Sequence, residues 1–107
     1  MHRWLTADFF SFYIVAFKDG IPNDRELDEL AAKIGKMWDK VGLYLDISQE
    51  VLDDIAVNAE DKPYRMLLRW RNESTSTTLY KDLYDALCHN RVGLNKVAKR
   101  FCCKKIR

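Results

Sequence analysis

Cys88 and His89 are the one place in the chain where a cysteine stands next to a histidine, a nucleophile beside a base. A thiolate beside an imidazole supports acyl transfer when the base reaches the sulfur and a third polar group orients the base. On a helix, adjacent side chains project about 100° apart, so the ring cannot readily take the thiol proton, and no orienting residue stands near them in the sequence. His2 is the remaining histidine, and the sequence holds no G-x-S-x-G, no Gly-rich phosphate loop and no H-E-x-x-H. Cys88, His89, Cys102 and Cys103 supply metal-ligating atoms but none of the C-x-x-C spacing a structural zinc site uses. The expectation is a non-enzymatic protein with no catalytic, cofactor or metal site.

Charge is the stronger signal. The net charge is only +2, yet residues 1–61 hold 6 Lys and Arg against 13 Asp and Glu, a net −7, and residues 62–107 hold 12 against 3, a net +9. Glu50, Asp53 and Asp54 form the expected acidic partner-binding face, and Arg65, Arg69 and Arg71 the basic one. Opposite faces that do not meet within one compact molecule favour head-to-tail contacts between molecules. The run Lys99-Arg100-Phe101-Cys102-Cys103-Lys104-Lys105-Ile106-Arg107 is read as a solvated basic tail in preference to an acylated membrane anchor. Lys96, Lys99, Arg100 and Lys104 lack the stacking aromatics that accompany nucleic-acid binding, so no nucleic acid is expected.

These residues need elements to hold them. A chain of 107 residues is one domain, and 48% hydrophobic and 32% charged residues with 4 Gly and 2 Pro exclude disorder and a turn-rich sandwich. The odd set of three cysteines points to a reducing, cytoplasmic setting. The apolar run Phe9 to Phe17 is too short to span a bilayer and has no cleavage-site pattern after it.

The apolar period is helical. Asn23 with Glu26 forms a capping box for a first helix carrying Leu27, Leu30, Ala31 and Ile34, ending at Gly35. Trp38, Val41 and Leu45 mark a second, in which Gly42 allows close approach or an early stop. Asp46 or Ser48 caps a third with Val51 or Leu52, Ile55 and Ala59 inward and Glu50, Asp53 and Asp54 outward. Pro63 restricts the start of a fourth to Asp61 or Lys62, and Met66, Leu67 and Trp70 lie on it. Thr77 or Thr78 caps a fifth with Leu79, Leu83, Ala86 and Leu87, whose last turn suits a cationic His89. Leu94, Val97, Ala98 and Phe101 form the sixth. Leu5, Phe9, Tyr13 and Phe17, with Thr6 as cap, suggest an accessory N-terminal helix. The expected core includes Leu30, Ile34, Trp38, Ile55, Leu67, Trp70, Leu83, Leu87 and Val97.

The series Leu27-x-x-Leu30-Ala31-x-x-Ile34-Gly35-x-x-Trp38-x-x-Val41, Ile55, Met66-Leu67-x-x-Trp70, Leu83-x-x-Ala86-Leu87 and Gly93-Leu94-x-x-Val97-Ala98 resembles the death domain. The likeness runs over about residues 24–101, and the tryptophan in the fourth helix separates it from the caspase-recruitment and death-effector branches of the superfamily. Gly42 departs from the alanine more usual there. The resemblance implies an all-α, six-helix antiparallel Greek-key bundle that binds other death domains, of its own kind or a partner's, in cell-death or innate-immune signalling. The division expected is residues 1–22 as an N-terminal extension, 23–101 as the domain and 102–107 as the tail. The alternative is a basic helical module that meets a membrane surface or nucleic acid through its last helix and tail.

Overall fold

The computed structural model describes residues 16–104, which form six α-helices and one short 3-10 turn. Helix α1 spans Asp24–Ile34, α2 Trp38–Tyr44, α3 Gln49–Asn58, α4 Lys62–Glu73, α5 Leu79–Cys88 and α6 Asn95–Cys102, with the 3-10 turn at Gly35–Met37.

Local chemistry sets most of the boundaries. Asn23 Oδ1 accepts from the Glu26 amide at 2.8 Å while Glu26 Oε1 accepts from the Asn23 amide at 3.0 Å, a closed capping box. Gly35, at φ 49°, ends α1 in the left-handed region. Ser48 and Asp61 accept from the third amide of α3 and α4, and Pro63 falls in the first turn of α4, where its missing N–H leaves no gap. Thr78 precedes α5 without capping it by its side chain; its hydroxyl turns to Asp82 instead.

Helix α4 is the hub. It packs on α1, α2 and α3, while α6 packs on α5 and α1. Leu27, Leu30, Val41, Leu52, Met66, Leu67, Leu83, Leu87 and Cys102 are fully or almost fully buried between them, and Trp70 is 5% exposed. Ile34 and Ile55 are also buried. Two expected core residues sit at its rim. Trp38 is half-buried because the 3-10 turn rotates the start of α2 toward Pro63 and Lys62, and Val97 is half-buried because its outer side lines a cleft beside α1.

The ends of the domain differ from the sequence expectation. Phe17 is extended, not helical, and forms an isolated antiparallel bridge with Cys103. Lys18 N–H donates to Cys102 O at 2.9 Å and Lys104 N–H to Ala16 O at 2.7 Å. The Phe17 ring meets Tyr84 edge-on with centroids 5.0 Å apart. Cys102, expected in a solvated tail, is the last residue of α6 and is fully buried, because the helical period brings it under Ala98. The remainder of the expected accessory helix, Leu5, Thr6, Phe9 and Tyr13, lies outside the described residues.

Candidate interaction surface

The outward stripe of α3 is acidic. Glu50, Asp53 and Asp54 are exposed, and their side-chain partners are neutral: Gln49 Nε2 donates to Asp53 at 3.0 Å and Asn58 Nδ2 to Asp54 at 2.7 Å. No Lys or Arg among the described residues lies within 4.0 Å of these three carboxylates. The stripe exists because Leu52 and Ile55 take the opposite side of the helix into the core.

The three arginines of α4 have three different environments. Arg65 is exposed and lines a cleft with Asp54, Asn58 and Tyr64. Arg69 borders the same cleft, and its Nε lies 2.8 Å from Glu73 Oε2, an ion pair without hydrogen-bond alignment. Arg71, expected on an exposed face, is only 16% exposed at its side chain. Its guanidinium donates to the Asp24 carboxylate and, at 3.2 Å, to Pro22 O, closing the start of α1 against the end of α4. The charge asymmetry between the halves is therefore partly met within the molecule, through Asp24 with Arg71, Glu26 with Lys18 at 3.7 Å and Asp19 with Lys104 at 3.3 Å. Asp54 of the acidic stripe also lines one cleft with Arg65 and Arg69, so these two charged sets are not on remote faces.

Cys88 and His89 do not form a working pair. The imidazole stacks on Tyr44, centroids 3.7 Å apart and planes 12° from parallel, and its Nδ1 accepts from the Arg91 amide at 3.1 Å. Burial pushes the Cys102 thiol up to about 12, with Cys103 adding to the effect, and also raises Cys103, so neither thiol is poised as a thiolate. No group of three or more His, Cys, Asp and Glu residues among the described residues is arranged to hold a metal ion.

A second cleft escaped the sequence reading. It runs between α1 and α6, with Leu30, Val97 and Phe101 as its apolar lining and Lys18, Lys33, Lys96 and Arg100 round it. The i, i+4 pairs Lys96/Arg100 and Val97/Phe101 were the available signal, but the α1 side and Lys18 are supplied by tertiary packing alone. No helix among the described residues is long and apolar enough to cross a membrane.

The sequence profile of the Death domain family matches residues 24–101. No curated protein and no solved structure matches the chain. The family is a non-catalytic protein-protein interaction module of signalling proteins with a six-helix fold, in accord with the bundle. The matched span runs from the first residue of α1 to the last but one of α6, and the chain belongs to the death-domain family.

Proposed function

We propose that this domain is an adaptor module that assembles a signalling complex of the cell-death or innate-immune type in the cytoplasm, by contact with death domains of its own copies or of a partner. The observation that carries the reading is the α3 stripe: three exposed carboxylates on one helix face with no cationic side chain within 4.0 Å among the described residues. A carboxylate stripe whose described partners are neutral is suited to steering and orienting a basic surface. On the basic side Arg65 is available as it stands, Arg69 becomes so if Glu73 is displaced, and Arg71 acts mainly by holding α4 to α1. Light scattering over a concentration series should show self-association at low salt that weakens as salt rises, since exposed charges are screened over about 8 Å at physiological ionic strength. A chain that stays monomeric at every concentration and salt would remove self-association from this reading.

The alternative, a module for an anionic membrane or nucleic acid, is favoured by Lys96, Lys99 and Arg100, which are exposed on α6 without a carboxylate within 4.0 Å among the described residues. Co-sedimentation with phosphatidylserine vesicles and titration of a labelled oligonucleotide test it directly.

A further inference from the structure

The cleft between α1 and α6 encloses about 440 Å³, and its lining pairs apolar surface with unspent positive charge. Leu30, Val97 and Phe101 are its apolar part. Among the described residues, Lys18 alone of its four cations has a carboxylate within 4.0 Å, Glu26. Glu26 also accepts from the Asn23 amide and from the Tyr80 hydroxyl at 2.9 Å, and its charge is offset by Lys18, which leaves Lys33, Lys96 and Arg100 as the free cations. Glu29, exposed on α1, is the one remaining negative group there, and it leaves the α6 side the more positive.

The α3 surface has the complementary pattern. Glu50, Asp53, Asp54 and Val57 follow i, i+3, i+4, i+7 and so share one face, and Val57 is 81% exposed at its end. An exposed valine among carboxylates matches an apolar cleft among ammonium and guanidinium groups. Helix α3 packs on α2 and α4 and α6 packs on α5 and α1, so one molecule presents stripe and cleft on different helix pairs.

We infer that the α1/α6 cleft receives the α3 stripe of a second copy of this chain, with Val57 against Val97 and Phe101 and the carboxylates along Lys96 and Arg100. The inference rests on the homotypic reading above and gives it a specific joint. The cleft offers more free cations than α4, where Arg69 and Arg71 are paired with Glu73 and Asp24 and Arg65 alone is free, whereas Lys33, Lys96 and Arg100 have no carboxylate within 4.0 Å among the described residues. A stripe and a cleft on the same molecule make a heterologous contact, which extends into a chain unless its rotation closes a ring.

The full chain tests this by sedimentation velocity at low salt with three variants whose thermal melting is first matched to the wild type. Lys96→Glu with Arg100→Glu, and separately Asp53→Lys with Asp54→Lys, should each lower the apparent association constant by about tenfold or more. Mixed in equal amounts, the two variants should co-assemble, because the reversed cleft of one fits the reversed stripe of the other and the two unchanged faces still fit. Glu29→Lys should strengthen association, a gain that damage to the fold would not produce. Wild-type assembly that survives the Lys96/Arg100 reversal, or a mixture that fails to co-assemble, overturns the joint while leaving self-association standing. A wild type that remains monomeric overturns both. Loss of binding to phosphatidylserine vesicles in the Lys96/Arg100 variant with self-assembly unchanged would assign the cleft to a membrane instead.

Discussion

Gly42 and Leu52 are in contact so close that a methyl group on Gly42 would stand 2.7 Å from Leu52 Cδ2, and 3.1 Å from Met66 Cγ. Helix α2 thus lies against α3 and α4 at a separation that the absence of a side chain permits. Gly42→Ala forces Leu52 aside at an overpacking penalty of about 1 to 3 kcal/mol, offset by about 1 kcal/mol of helix propensity, for a net loss of about 1 kcal/mol. The urea midpoint should fall at constant slope. A midpoint raised by the substitution would mean that Leu52 and Met66 repack freely.

Trp70 lies on α4's inner face with Met66 and Leu67 and is 5% exposed. Trp70→Ala should destabilise the domain by about 3 to 5 kcal/mol, the range for emptying a large aromatic site. Urea unfolding measures it, and a loss below about 1 kcal/mol would contradict the burial. Reduced partner binding by this variant would report unfolding and not a lost contact.

The thiols should separate by accessibility. Cys88 and Cys103 are half-buried and Cys102 fully buried, so a thiol reagent should modify Cys102 only at the rate of unfolding. Burial also holds Cys102 in its neutral form, up to about 12, and burial with the hydrogen bond to Glu26 does the same for Tyr80. Both groups have a higher pKa folded than unfolded. The stability they give is therefore complete below about pH 9, the ordinary thiol value, and is lost as pH rises toward the folded values. Melting temperature should be insensitive to these groups from pH 7 to 8 and fall between pH 9 and 11, and less steeply in Cys102→Ala. An equal slope in both proteins would exclude Cys102 as a contributor.

Two truncations isolate the contribution of residues 16–20. Removal of residues 1–20 deletes the Phe17–Tyr84 contact, both backbone bonds to the chain end, and the Lys18 and Asp19 ion pairs. It should melt about 4 to 8 °C below the chain lacking only residues 1–15, the shift that about 1 kcal/mol gives a domain of this size. Scanning calorimetry of the two chains decides it; coincident melts would show that residues 16–20 add nothing.

Legibility in the sequence followed the range of the interaction. Helix starts at Asn23, Ser48 and Asp61 were readable because a cap needs only residues within one turn. The inward positions of α1, α4 and α5 were readable because their stripes repeat at helical spacing. Arg71 was not, since its partners Asp24 and Pro22 are 47 and 49 residues away and nothing local separates it from a solvated arginine. Cys102 was misplaced for a related reason: basic neighbours suggested a tail, while burial depended on where α6 crosses α5. His89 was assigned to the helix dipole, and the Tyr44 ring, 45 residues earlier, decided its orientation. The α1/α6 cleft required two helices far apart in sequence and the returning segment at Lys18.

The bridge between Phe17 and Cys103 also determines how the domain carries force. Residues 16 and 104 leave side by side from an antiparallel pair, so tension between them loads its two hydrogen bonds in series, Lys104 to Ala16 first and Lys18 to Cys102 next. The pair therefore unzips and does not shear, and gives way before α1 and α6 are pulled from the core. A modest pull would uncover the face of Tyr84 that Phe17 meets while the six helices still stand, making the seam a mechanical fuse in the bundle.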